Sequence, residues 1–148
     1  MYEKHLSTQF DNELNSISSK LLELGGLVES QIRQAMYALA EFSEEVADQV
    51  EQDEERVNML ELEIDRELST IIARRQPTAI DLRLLLAISK TTTNLERVGD
   101  EAAKIARMIK RIIASGKARM LPIGDLGRGA DQAAEQLRRA LDAFARLS

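Results

Sequence analysis

Gln76-Pro77-Thr78-Ala79-Ile80-Asp81 separates two long helical patterns and fixes how they lie side by side. Proline closes the first pattern, because it lacks a backbone N–H and disfavours a helical residue before it. Thr78-x-x-Asp81 then has the spacing of a capping box and opens the second. Little chain is left for a loop, so the two helices must fold back on one another. Both rise about 1.5 Å per residue, which sets positions summing to about 154 level with each other.

Upstream of the turn, Ser43 caps a helix with Glu44 and Glu45 in its first turn, where the helix dipole favours negative charge. Its apolar seam is Val46, Val50, Val57, Leu60, Ile64, Leu68 and Ile71, with Asp53 standing where the series expects an apolar residue. A charge on the edge of a core needs a partner or a cation. Downstream, the seam runs Leu85, Ile88, Thr92, Leu95, Val98 or Gly99, Ala102, Ile105, Ile109 and Ile112, and Ser115-Gly116 stops it. A further helix over residues 6–40 precedes both, with apolar residues from Leu6 to Leu39 three or four apart. Gly25-Gly26 interrupts that helix. The pair is read either as packing glycines or, since Gly26 falls level with Asn58, as space for a close backbone approach or a ligand.

Residues 116–124 read as a linker, and Asp125 begins a fourth pattern of Leu126, Ala130, Ala133, Leu137, Leu141 and Phe144. The expected architecture is all-α: an antiparallel three-helix bundle over residues 1–115, then a fourth helix over 125–148 that begins another unit or packs on the first. Its pattern is still running at Ser148, which reads as a truncated chain. An open seam on that helix predicts self-association, as a homodimer or higher oligomer. Gly124, Gly127 and Gly129 lack the Lys-Ser/Thr of a phosphate loop, and no strand precedes them.

The register also selects a candidate site. Glu96 and Asp100 are four apart on one helix and therefore stacked. Opposite them fall Asn58 and Glu54, so one level carries three carboxylates and an amide. Glu61 and Asp65 have the same spacing nearer the turn and, with Asp53, form a second tier of candidates. Two like charges about 4 Å apart repel by about 4 kcal/mol at an effective dielectric near 20, so convergence needs protonation, basic neighbours or a bound cation. Oxygen donors favour hard metals over zinc held by sulfur or nitrogen. The plain alternative is a solvated charged face with Arg56, Arg97 and Lys104 nearby.

Composition narrows the function classes. The 148 residues are 44% apolar and 30% charged with seven glycines and two prolines, a balance that favours long helices over a sheet protein. With no cysteine there is neither a disulfide framework nor a thiolate metal site. A net charge of −5 and an aromatic content of 3% argue against nucleic-acid binding. The N-terminus has no signal-peptide pattern and no apolar run reaches membrane-spanning length, so a cytoplasmic protein is expected that meets a membrane only through partners. The single histidine, His5, is placed ahead of the first helix. One histidine cannot supply the two Glu-x-x-His pairs of a di-iron bundle, and a phosphotransfer histidine would stand in mid-helix. No enzyme is expected.

Six stretches carry a resemblance: residues 5–14 (His-Leu-Ser-Thr-Gln-Phe-Asp-Asn-Glu-Leu), 24–29 (Leu-Gly-Gly-Leu-Val-Glu), Val57-Asn58-Met59 with Ile64-Asp65, Arg75-Gln76-Pro77-Thr78-Ala79 with Asp81-Leu82-Arg83, Leu95-Glu96-Arg97-Val98-Gly99-Asp100, and 141–146 (Leu-Asp-Ala-Phe-Ala-Arg). Together they resemble the PhoU family of phosphate-specific transport accessory proteins, the Gln-Pro-Thr-Ala and Asp-Ala-Phe-Ala-Arg runs looking like its proteobacterial branch. The resemblance implies two tandem three-helix bundles related by a pseudo-twofold, of which this chain supplies the N-terminal portion: the first bundle and the opening helix of the second. It also implies acidic Glu/Asp-x-x-x-Asp motifs that in some members hold metal clusters, matching Glu54-x-x-x-Asn58 and Glu96-x-x-x-Asp100. Asn58 departs from that pattern, since an amide brings an oxygen but no charge. Iron, manganese, zinc or magnesium would be the metal. The implied function is negative regulation of the phosphate-starvation (Pho) regulon. Such a protein links the ATPase subunit of the high-affinity phosphate ABC transporter to the phosphate-sensing histidine kinase and limits phosphate uptake. The rival expectation is a helical scaffold without a metal or signalling role.

Overall fold

The computed structural model describes the backbone of residues 2–116 and 123–147, with side chains over 8–116 and from Gly127 onward except at 140, 141, 144, 145 and 147. Four helices follow one another: α1 (Tyr2–Glu41), α2 (Glu44–Arg75), α3 (Ala79–Ser115) and α4 (Ile123–Leu147). Helix α1 is therefore about 60 Å long at the standard rise and passes through Gly25-Gly26 without a break. The backbone at His5, expected ahead of this helix, lies inside it. The side chain of His5 falls outside the described residues, as do those of Leu6, Leu126, Leu141 and Phe144 and the linker positions 117–122.

The boundaries follow the sequence signals. Ser43 is the N-cap of α2, its hydroxyl accepting from the Val46 N–H at 3.2 Å. Thr78 caps α3, accepting from the Asp81 N–H at 3.4 Å. Gly116 ends α3 in the left-handed conformation at φ 66°, which glycine adopts without a Cβ penalty. Both reversals are tight, and each places a non-glycine residue at positive φ, Phe42 at 50° and Gln76 at 42°. That backbone conformation costs about 1–2 kcal/mol per residue, which the packing of two long helices offsets.

The core is one continuous apolar layer among α1, α2 and α3, filled by Ile17, Leu21, Leu24, Val28, Leu60, Ile64, Leu85, Ile88, Leu95 and Ile109, all fully buried. Ion pairs clamp its edges. Arg75 reaches Glu13 at 2.6 Å, Arg56 reaches Glu23 at 2.8 Å, Lys20 pairs with Glu67, and Lys110 pairs with Asp48 at 2.6 Å and Glu51 at 3.1 Å. Their exposure limits each to about 0–1 kcal/mol, so they set register more than stability.

Helix α4 begins at Ile123 rather than Asp125. It lies against α3 and α1. The sequence expects its seam to be open and to drive self-association; instead Ala130, Ala133 and Leu137 are buried. The small residues at 130 and 133 let α4 approach α3 and α1 closely enough to bury that part of the seam, its other members, Leu126, Leu141 and Phe144, lying outside the described side chains.

Candidate metal centre

The acidic level forms because two tight helices bring their middles together in register. Glu54 of α2 and Glu96 and Asp100 of α3 each offer a carboxylate oxygen within 4.8 Å of the others. The α2 seam bends this way because the step from Val50 to Val57 can pass through 53 or 54. The residue turned inward is Glu54. Asp53, expected on the core edge, instead accepts a hydrogen bond from Gln49 one turn back on its own helix at 3.0 Å and takes no part in the cluster.

Two residues that the sequence reading did not single out complete the geometry. Gln31 of α1 is fully buried; its amide nitrogen donates to the Val50 carbonyl at 3.1 Å and to Glu54 Oε2 at 2.9 Å. Gly99 supplies the space. A Cβ built there would lie 2.9 Å from Gln31 Oε1, closer than packed atoms tolerate, and at contact distance, 3.4 Å, from Glu54 Oε2. A close approach is thus made at Gly99 and not at Gly26, which is exposed with nothing within 4 Å of an added Cβ, whereas its neighbour Gly25 is buried.

The electrostatics are those of crowded acids. Glu54 is pushed from its ordinary 4.5 to about 7, first by burial and then by the hydrogen bond its protonated form makes to Asp100; the bond from Gln31 opposes this, and the charges of Asp100 and Glu96 add to it. Glu96 also rises to about 7, through burial, its hydrogen bond to Asp100, and the charges of Asp100 and Glu61, with Arg97 opposing. Glu61 is raised by burial and by Asp65 and Asp100. It therefore feels the same electrostatic group while standing outside the three carboxylates that converge, and its neighbour Asp65 is exposed. Asn58 is exposed and makes no hydrogen bond among the described residues.

This donor set fits a hard cation. It consists of oxygens alone, three of its donors are carboxyls close enough to raise one another's affinity for positive charge, and Glu54 Oε1 and Gln31 Oε1 are buried without a hydrogen-bond partner. Buried acceptors without donors are rare in native folds and call for a ligand, a proton or an ion. Among the described residues, Glu54, Glu96 and Asp100 are the one group of three or more His, Cys, Asp and Glu side chains that meets this distance.

Residues 21–109, more than half of the chain, match the model of the PhoU domain. The chain belongs to the PhoU family. It is 48% identical over 148 residues to the phosphate-specific transport system accessory protein PhoU homolog of a Burkholderia species, spanning 99% of this chain and 63% of that protein. Against the phosphate-specific transport system accessory protein PhoU of Escherichia coli K12 the identity is 41% over 145 residues, spanning 97% and 59%. The crystal structure of PhoU from Pseudomonas aeruginosa superposes with a TM-score of 0.82 at 41% identity, over 93% of this chain and 65% of that one. The phosphate transport system regulatory protein PhoU from Streptococcus pneumoniae superposes with a TM-score of 0.70 at 28% identity, over 86% and 61%. The chain thus spans less than two thirds of the length of these relatives. The PhoU match also includes the Leu95–Asp100 run that holds half of the acidic level.

Proposed function

We propose that this chain is the cation-binding part of a non-enzymatic PhoU regulator of phosphate transport. The observation that carries the reading is the meeting of Glu54, Glu96 and Asp100 from two helices in a matched PhoU domain. The relatives' names, which describe an accessory and a regulatory protein of the phosphate transport system, support the placement. In this reading Glu54, Glu96 and Asp100 hold iron, manganese, zinc or magnesium. Asn58 adds an amide oxygen from the solvent side, and Glu61 adds negative potential. The hard, oxygen-only set favours magnesium, manganese and ferric iron over zinc. The bound ion neutralises the acids and crosslinks α2 to α3. Present at a hundred times its dissociation constant, it would stabilise the bundle by about 2.7 kcal/mol.

Such an element is structural or regulatory, and it fits a protein that works by docking. The protein would act in the cytoplasm, linking the ATPase subunit of the phosphate ABC transporter to the phosphate-sensing histidine kinase and holding the starvation response down when phosphate is plentiful. Long exposed helical faces are available for helix-in-groove contacts; Met59 and Leu62 on α2 are about half exposed. None of the described helices is long and apolar enough to cross a membrane, so attachment to the transporter would run through its partners. The test is affinity capture of the transporter ATPase and the kinase by the full-length protein, alongside phosphate-responsive transcription in a deletion strain. Capture of either partner with derepressed transcription in phosphate-rich medium is expected. Capture of neither, with unchanged transcription, would leave only a helical scaffold.

A further inference from the structure

We propose that Gln31 is a positioning residue of the acidic centre: the α1 amide that holds Glu54 in place for a cation, seated in the space left by Gly99. The inference rests on the cation-binding reading above. Among the described residues three polar side chains are buried in this bundle: Gln31, Thr91 and Thr92. The two threonines return their hydroxyls to carbonyls of their own helix, Ala87 and Ile88. Gln31 instead reaches across to α2 and donates from one nitrogen to both the Val50 carbonyl and Glu54 Oε2.

That arrangement is a poor one for packing alone. The Gln31 Oε1 acceptor stays buried without a partner, and an unpaired acceptor in a core is destabilising where an apolar side chain of the same shape is not. What the amide does achieve is to engage Glu54 Oε2. It leaves Oε1, itself buried and unpartnered, as the Glu54 oxygen still able to take a cation. Gly99 makes this contact sterically feasible, because any side chain there would meet Gln31 Oε1 first. Outer partners of this kind orient carboxylate ligands, and their loss typically lowers metal affinity about 10–100-fold.

The test is calorimetric titration of the chelator-stripped chain with manganese, for wild type, Gln31→Met and Gln34→Met. Gln34 lies one turn along α1 and bonds Ser30 of its own helix, so its replacement controls for losing an α1 amide. Gln31→Met should bind manganese about 10–100-fold more weakly while keeping a cooperative melt in chelator. Gln34→Met should bind as wild type does. Should methionine not fold at position 31, Gln31→Leu is read in the same way. Wild-type affinity in the folded Gln31 variant would overturn the positioning role and leave the cation site standing. Equal loss in both variants would overturn it too, as a general effect of α1. Failure of wild type to bind would overturn both the site and this role.

Discussion

Removing the charge from Glu54 and Glu96 together should flatten the pH dependence of the metal-free fold. Both carboxyls titrate near 7 in the folded chain, against an ordinary 4.5. A carboxyl with a raised folded pKa holds its proton more tightly folded than unfolded. Its contribution is therefore complete below 4.5 and is lost as pH climbs through about 7. At about 1.4 kcal/mol per pKa unit, a fully buried group moved this far would lose about 3 kcal/mol. Both side chains keep part of their surface in water, and solvent screening reduces this to on the order of 1 kcal/mol each. Wild type should thus lose about 2 kcal/mol more between pH 5 and pH 8 than the Glu54→Gln, Glu96→Gln variant, whose amides keep the shape without the charge. Urea denaturation in chelator reads the difference. With a slope of about 2 kcal/mol per molar urea it amounts to about 1 M in midpoint. An equal loss in the variant, or a wild type more stable at pH 8, would refute the argument that crowding and burial raise these acids into the neutral range.

Two glycine substitutions should move stability in opposite directions. Gly99→Ala brings a Cβ to 2.9 Å from Gln31 Oε1 and should destabilise by about 1–3 kcal/mol through overpacking. Gly26→Ala meets nothing within 4 Å in mid-helix and should stabilise by about 0.5–1 kcal/mol; thermal melts of the two variants check the pair, and the same sign in both would undo the steric account. Cation binding near pH 6 should displace protons, because Glu54 and Glu96 must ionise to ligate. Calorimetry in buffers of different ionisation enthalpy should report about one to two protons released at pH 6 and close to none at pH 8.

The elements were legible because their signals are local. Caps at Ser43, Thr78 and Gly116 fall where residue type demands them, and a bundle core repeats with the helix period, so Val57, Leu60, Ile64 and Leu95 could be read directly. Level-matching across the Pro77 turn brought Glu54 to Glu96 and Asp100 because helix rise is nearly invariant. Rotation about each axis was less legible. Positions 53 and 54 differ by about 100° around the helix, and only packing against α1 and α3 decides that Glu54 points inward. Gln31 carried a readable trace, a polar residue between Val28 and Ala35 in an otherwise apolar series. Its partner lies 23 residues away on another helix, which periodicity does not reveal. The glycines show the same limit: a conspicuous Gly25-Gly26 pair has no packing consequence at Gly26, whereas Gly99, reached only as an alternative to Val98 in the seam, sets the contact of three helices.

The most direct test of the acidic centre is anomalous diffraction from crystals of the chain grown with manganese, recorded where manganese scatters anomalously. The account predicts one strong peak at ligand distance from carboxylate oxygens of Glu54, Glu96 and Asp100, absent from crystals of a Glu96→Ala, Asp100→Ala variant. Crystals with no peak there, or with peaks only elsewhere on the surface, would contradict it and return these three acids to a solvated face.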